Sequence, residues 1–449
     1  DCLLSRGLGD VYKRQTQARP MTSTSFPDPR ETRGSAEREA DLMERLSRQV
    51  THALQHSPAY QAAYAHLSIG PDGVASRAAL AGLPVIRKHE LLALQQQARQ
   101  ARPVSDDPRL RVFGGFATQG WGAAMPRAFA SPGPIYEPDS LAADHWRMAR
   151  AMHAAGFRQG ELVHNSFSYH LVPAGAMMES GARALGCTVF PGGTGQTEQQ
   201  LQAMLDLRPS AYVGTPSFLR ILLEKAEDNA TALPWLRTAL VSGEACPPSL
   251  QAWFAERGIA AYQCYASADL GLIAYETSAR QGLVVDEDVL VEIVRPGTGE
   301  PVPEGEVGEV VVTNFNADHP LLRFGTGDLS AVLPGPCPSG RSNTRLKGWM
   351  GRADQTTKVR GMFIHPGQVA EVARRLPGQP RVRLVVRGER ADDQLVLQIA
   401  HPGPLNEELA AQCLQCVRDV TKLRADIEPV PPDQWANDGK VIVDERSYQ

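Results

Sequence analysis

The sequence predicts an α/β protein with two domains. The large N-terminal domain is expected to hold mainly parallel βαβ sheets plus a small β-barrel-like part, and the C-terminal domain to be a small α+β unit. Three observations carry this reading. From about residue 142 to residue 267, strand-like apolar runs alternate with helix-like stretches. After Asp286 the chain turns to short β-rich runs broken by Gly and Pro. Past Gly351 a third pattern, strand-rich with interspersed helices, runs to the end. A chain of 449 residues is long for one core and sufficient for two.

The opening stretch, DCLLSRGLGDVYKRQ, lacks the basic start and sustained apolar run of a signal-peptide pattern. It resembles translated sequencing-adapter read-through. Residues 1–20 are expected to be a non-native leader, with Met21 as the start. From Ala36 to Leu67 apolar residues recur at three and four positions, which predicts helix. The alternation then follows in order. AADHWRMARAMHAAGF reads as helix, ELVHNSF as strand and PAGAMMESGARALG as helix. CTVFPGG is a strand, TEQQLQAMLDLRP a helix, AYVGTPS a strand and SFLRILLEKAED a helix. LRTALVSGE, PSLQAWFAERG and IAAYQCYA complete the series as strand, helix and strand. Alternation at this spacing implies parallel strands joined by crossover helices.

In open sheets of that kind ligands sit beyond the carboxyl ends of the strands. The turns there are GTPS (Gly214 to Ser217), VSGE (Val241 to Glu244) and YASADLG (Tyr265 to Gly271), and they are the predicted site. DVLVEIVRP, GEVGEVVVTNF and LLRFGTGDLSAVL then read as a meander or small barrel. The expected domains are 21–350 and 351–449, with a moving hinge at Asp354.

Composition sets the outer limits. Charged residues are 21%, apolar ones 42% and the net charge is −4, so neither a nucleic-acid nor a membrane surface is indicated. No apolar run approaches the ~18 residues of a membrane helix. The seven cysteines form no disulfide framework, which suits a reducing, cytoplasmic setting. Cys413 and Cys416 form the one CxxC, inside the amphipathic stretch EELAAQCLQCVRDVTKL, and are expected to be buried structural residues. A homodimer is compatible with all of this.

Three polar motifs stand in the second half: FGTGD ending at Asp328, GRADQTTKVRG from Gly351 to Gly361, and NDGK ending at Lys440. Each puts a charged side chain beside glycines. They offer a carboxylate for a diol, a guanidinium for a phosphate and a lysine for a developing anion. Taken singly, each also reads as something plainer: a turn aspartate, a surface ion pair, and a lysine in an Asn-Asp-Gly turn. Together they equip a protein to handle a nucleotide and a carboxylic acid.

From about Glu31 onward the chain resembles the phenylacetate–coenzyme A ligase type of adenylate-forming enzyme. ETRGSAEREADLMERLSRQVTHALQHSPAYQ is similar to that group's N-terminal helix, and LPVIRKHELL to the segment leading to its nucleotide loop. PGPCPSGRSNTRLKGWMGRADQTTKVRGMFIHPGQV is the most specific stretch. The resemblance implies that a carboxylate is joined to AMP using ATP and Mg2+, with release of pyrophosphate. The acyl group then passes to the thiol of coenzyme A, and the small domain turns between the two steps.

The resemblance also assigns roles. Lys440 and Arg352 are the expected catalytic residues, Lys440 at the α-phosphate and Arg352 near the ribose and phosphates. Asp328 would accept the ribose hydroxyls, although Gly325 replaces the arginine of the (Y/F)RTGD pattern. Ser242, Gly243 and Glu244 match the adenine-edge motif. Tyr265, Ala266 and Ser267 open YASADLG, where an aromatic packs on adenine and Asp269 stands for a magnesium-associated glutamate; Ala268 replaces a phosphate-contacting threonine. The phosphate loop corresponds to ATQGWGAAMPRAF, which keeps Thr118, Gly120 and Gly122 but carries Trp121 in place of a small hydroxyl residue and Arg127 after the proline. Phe167, Tyr169, His170 and Gly214 are the expected acid pocket, Asp354 the hinge and Gly361 a coenzyme A contact. The acid is expected to be aromatic or arylacetic. Two alternatives stay open: another acyl acceptor such as a carrier-protein pantetheine, or a nucleotide- or acyl-CoA-binding protein with a decayed phosphate loop.

Overall fold

The computed structural model describes residues 28–67, 73–295, 298–350, 353, 357–360, 362–364, 366–388, 393–435 and 440–446. A nine-stranded sheet forms the centre. Its strands run in the spatial order Thr188–Pro191, Leu162–Asn165, Ala211–Gly214, Thr238–Val241, Ala260–Ser267, Gly271–Glu276, Leu283–Val285, Arg345–Leu346 and Val332–Leu333. The first five are mutually parallel; pairing turns antiparallel from Gly271–Glu276 onward. The parallel strands Ala211–Gly214 and Thr238–Val241 are buried along their whole length. That is why they read as continuous apolar runs, since helices cover both faces.

The crossover helices fall where the alternation predicts them. Pro216–Asp228 shows the local logic. Thr215 caps it by accepting from the Phe218 N–H, Pro216 opens it, and Leu219, Leu222, Leu223 and Ala226 make one buried stripe. Two predicted helices are shorter than expected. The 142–157 stretch is helical over Met148–Ala154, because the Asp144 carboxylate accepts from the Met148 and Ala149 N–H groups and fixes the start there. The Ala36–Leu67 stretch is split into Ser35–His56 and Pro58–Ala63. Pro58 has no N–H to continue the first helix and is preorganised to open the second.

The strands Val289–Val294, Gly308–Asn314 and Phe324–Ser330 form the predicted meander. The short strand Ile86–Arg87 joins its far edge in parallel, opposite Phe324 and Gly325. Arg323, at the entry to Phe324–Ser330, is fully buried; its Nε and Nη2 donate to the two carboxylate oxygens of Glu292 at 3.0 Å, and its Nη1 to the Ala81 and Leu83 carbonyls. The helix Ser35–His56 is tied to the same region through Arg38 and Glu287 at 3.1 Å.

The C-terminal stretch folds as a four-stranded sheet in the order Asp426–Val430, Gln394–Ala400, Val382–Arg387, Ile442–Asp444, with helices Pro366–Arg375 and Glu407–Thr421. Val372, Leu384, Leu397, Cys413 and Val417 belong to its own apolar cluster. Cys413 and Cys416 are therefore core residues, and all six described cysteines are free and buried. Among the described residues no helix is long and apolar enough to cross a membrane.

Candidate active site at the carboxyl ends of the sheet

Three neighbouring parallel strands, Ala211–Gly214, Thr238–Val241 and Ala260–Ser267, deliver the three predicted turns to one edge. The turns are stitched together there. The Ser242 N–H donates to the Gly214 carbonyl at 3.2 Å, and Ser242 Oγ donates to the Cys264 carbonyl at 2.8 Å. Glu244 Oε2 accepts from the Ser217 N–H at 3.4 Å. Gly243 has φ +82°, a left-handed conformation that costs glycine nothing. Gly214 is required for a different reason: a Cβ there would lie 2.1 Å from both Ser166 Oγ and Tyr212 Oη.

Tyr265 and Asp328 come together although they belong to different sheets. Tyr265 Oη donates to Asp328 Oδ2 at 2.7 Å, and both residues are half-buried. A β-bulge between Tyr265 and Ala266 breaks the strict alternation at this point. Ser267, whose Oγ accepts from the Leu270 N–H at 3.2 Å, caps the following turn. FGTGD is a strand, not a loop: it lies within Phe324–Ser330. The space beside Gly325 is taken by Glu309, Arg87 and Val85, with Glu309 Oε1 2.8 Å from where a Cβ would lie. A Cβ on Gly325 would meet Arg87 Cγ at 3.1 Å, and the Arg87 guanidinium pairs with buried Glu309 at 3.0 Å.

Asp269, in the turn after the strand Ala260–Ser267, belongs to a buried polar cluster. Lys88 Nζ donates to Asp269 Oδ2 at 2.9 Å, while Asp269 Oδ1 is buried without a hydrogen-bond partner. Glu137 accepts from Ser131 Oγ and borders the same small cavity as Asp269, His145 and His319. Burial, then the neighbouring Asp269 carboxylate, push Glu137 up to about 8. Burial lowers His319 to about 4 and moves His145 downward too, favouring the neutral imidazole in each.

The loop from Ala117 to Arg127 is built differently. Thr118 Oγ1 donates to the Ala317 carbonyl at 2.8 Å, its N–H donates to the Asp318 carbonyl at 3.0 Å, and the Gln119 amide donates to Asp318. Trp121 is 54% exposed and meets Phe113 edge-on. Gly122 has open space around it, whereas Gly120 faces Pro108. Arg127 pairs with buried Asp139 at 2.7 Å.

The expected acid-pocket residues divide. Phe167 is packed in the core beneath the sheet edge. Tyr169 receives from Asn165 at 2.8 Å and donates to Glu179 at 3.0 Å, and His170 is exposed. Sequence reasoning passed over a buried pair beside them. His164 meets Gln200 at 2.7 Å, and the Gln200 amide donates to the Gly193 and Gly195 carbonyls, fixing the GGTGQTE loop. No local signal marks that pair, because the two residues lie on different elements.

Residues 144–316 match the family described as AMP-binding enzyme. The phenylacetate–coenzyme A ligase of Aromatoleum evansii is 31% identical over 391 residues, 83% of each chain, and that of Thermus thermophilus is 30% identical over 387 residues, again 83% of each. This chain belongs to the phenylacetate–coenzyme A ligase family. A solved 2-hydroxyisobutyryl-CoA ligase, in complex with 2-HIB-AMP and CoA, shares the fold of this chain. It is 24% identical, with a TM-score of 0.79 over 96% of this chain and 95% of that one.

Of the residues expected to meet the nucleotide, Ser242, Gly243, Glu244, Tyr265 and Asp328 lie together at this edge. Lys440 stands apart from them in sequence and sheet. It is exposed, just before the strand Ile442–Asp444, and its carbonyl accepts from Arg383 Nε at 2.8 Å. Arg352, Asp354 and Gly361 lie outside the described residues. Asp269, the expected magnesium-associated carboxylate, has one oxygen against the Lys88 ammonium, the other buried without a hydrogen-bond partner, and a side chain that is 1% exposed.

Proposed function

We propose that this chain is an ATP-dependent acid–CoA ligase acting on an aromatic or arylacetic carboxylate. The observation that carries the proposal is the junction of Tyr265 and Asp328 beside the Ser242–Gly243–Glu244 turn. A carboxylate set next to an aromatic ring and a close-approaching glycine backbone suits a ribose and a flat base. Membership of the phenylacetate–coenzyme A ligase family supports the reaction and the aromatic substrate class. The proposal includes a cytoplasmic setting, which the free buried cysteines favour, and magnesium supplied with ATP.

In the first step a carboxylate oxygen of the acid attacks the α-phosphorus of ATP, and the bond to pyrophosphate breaks. Negative charge gathers on the α-phosphate oxygens, and Lys440 is assigned to stabilise it. In the second step the coenzyme A sulfur attacks the acyl carbon and AMP leaves. Lys440 on one unit and Asp328 on the other suit two half-reactions that share a nucleotide site but differ in their demand for cationic help. Arg352, Asp354 and Gly361 keep their roles at the phosphates, the hinge and coenzyme A within this proposal.

Calorimetric titration with AMP and with ATP plus magnesium tests the reading. Both nucleotides should bind, and Asp328→Ala should weaken both by about 100-fold. Binding unaffected by that change would sink the ribose assignment. If AMP binds and ATP does not, the exposed Trp121 loop does not hold the outer phosphates, and a nucleotide-binding protein becomes the better account. Lys440→Ala should slow acyl-adenylate formation by roughly 100- to 1000-fold and leave thioester formation from supplied acyl-adenylate intact.

A further inference from the structure

Lys440 is fastened to the C-terminal sheet by a buried arginine. Arg383 stands on the strand Val382–Arg387. Val382, Leu384 and Val386 belong to the apolar cluster shared with the two helices, so by alternation Arg383 lies on the other face of the sheet. Arg383 is nevertheless only 7% exposed. Trp435 contributes to its cover, with the ring centroid 5.6 Å from the Arg383 guanidinium and 5.5 Å from that of Arg381. From there Arg383 Nε donates to the Lys440 carbonyl at 2.8 Å. One residue further along, the Leu384 N–H donates to the Val441 carbonyl at 3.0 Å, where the parallel pairing with Ile442–Asp444 begins.

The geometry assigns Arg383 a positioning role: it fixes the peptide that carries Lys440, so that the ammonium reaches the α-phosphate from a set backbone. This rests on the proposed function of Lys440 in the first step. A lysine ammonium is a point charge on a flexible four-carbon stem. What a fold can preorganise is therefore the Cα from which the stem departs, and with it how often the ammonium is present where negative charge develops. The strand ladder holds the backbone from Val441 onward, and the Arg383 bond extends that hold by one residue, to the lysine itself. A charged donor makes this bond stronger than a neutral one, and its burial keeps water from competing for it. The second step makes no comparable demand on Lys440, so the clamp should matter to one half-reaction and not to the other.

The experiment measures the two half-reactions separately on the full chain, with phenylacetate or benzoate as the probe acid. Acid-dependent exchange of pyrophosphate into ATP reads the first step. Release of AMP from supplied acyl-adenylate on adding coenzyme A reads the second. Arg383→Met keeps an apolar stem and removes the donors. It should lower kcat of exchange by roughly 10- to 100-fold, and leave both the KM for ATP and thioester formation within about twofold. Arg383→Lys keeps the charge and loses the planar fork; it guards against loss of the fold and should show the same split at smaller size. In a Lys440→Ala background neither change should lower exchange further, because the group being positioned is gone. An equal fall in both half-reactions, no fall in exchange, or a further fall in the Lys440→Ala background would overturn the role of Arg383 while leaving Lys440 in place. Equal loss of both half-reactions in Lys440→Ala alone would instead remove the Lys440 assignment, and a wild type inactive with both acids would remove the proposed function; either result takes this inference with it.

Discussion

The two ends of the proposed nucleotide site are made by different means. At the adenosine end, Ser242, Tyr265 and Asp328 stand on or just after strands, and their polar atoms bind one another or the backbone of a neighbouring strand. At the other end, the Ala117–Arg127 loop gives its polar groups to residues next to it. Thr118 and Gln119 bind Ala317 and Asp318, Arg127 binds Asp139, and Trp121 faces solvent. A strand fixes the direction of a side chain through a backbone ladder that is already satisfied. In the loop, the side chains that could serve a ligand are instead paired with groups on other segments, Ala317, Asp318 and Asp139. Rigidity therefore sits with the adenosine end.

That contrast is open to direct attack. The largest effect is expected at Gly214, where an added methyl would collide with Ser166 Oγ and Tyr212 Oη. Gly214→Ala should destabilise the fold by about 3 kcal/mol, visible in denaturant titration. A change below about 1 kcal/mol would mean that the strand ends are softer than argued. Ser242→Ala removes the hydroxyl bond to Cys264 and leaves a buried carbonyl short of a donor. About 1 kcal/mol is expected from chemical denaturation, with weaker AMP binding.

A third variant probes the buried cluster of Glu137, Asp269 and Lys88. Glu137 is pushed up from 4.5 to about 8, so the folded state holds its proton more tightly than the unfolded state does. Its stabilising contribution is complete below pH 4.5 and is lost as pH rises through 8. Glu137→Gln should flatten the fall in melting temperature between pH 5 and pH 8, and an unchanged slope would remove the protonated carboxyl from the account. The smallest effect is expected at Gly122, which has open space and an ordinary φ. Gly122→Ala should shift stability by less than ~0.5 kcal/mol. A loss as large as that at Gly214 would erase the distinction between the two ends.

Much of this molecule was legible before any coordinates. The alternation gave the parallel strands because buried strands and amphipathic helices write different periods into the chain. The three turns could be placed at one edge because successive parallel strands end on the same side. FGTGD could be picked out because glycines beside a charge are a local signal. Helix ends were less legible. Asp144 and Pro58 set two of them through one side-chain bond and one missing N–H, details that a periodic pattern does not weigh.

By itself, then, the sequence determined the class of fold, the order of its elements and the chemical types gathered near the strand ends. All of these follow from interactions over a few residues. The tertiary structure alone decided which of those types meet. Arg87 reaches Glu309 and shares with it the space beside Gly325, Lys88 neutralises Asp269 across 181 residues, and Trp349 Nε1 donates to Asp328 Oδ1. Such pairings depend on strand order and register across separate sheets, and no local pattern encodes a distance between elements that only packing brings together.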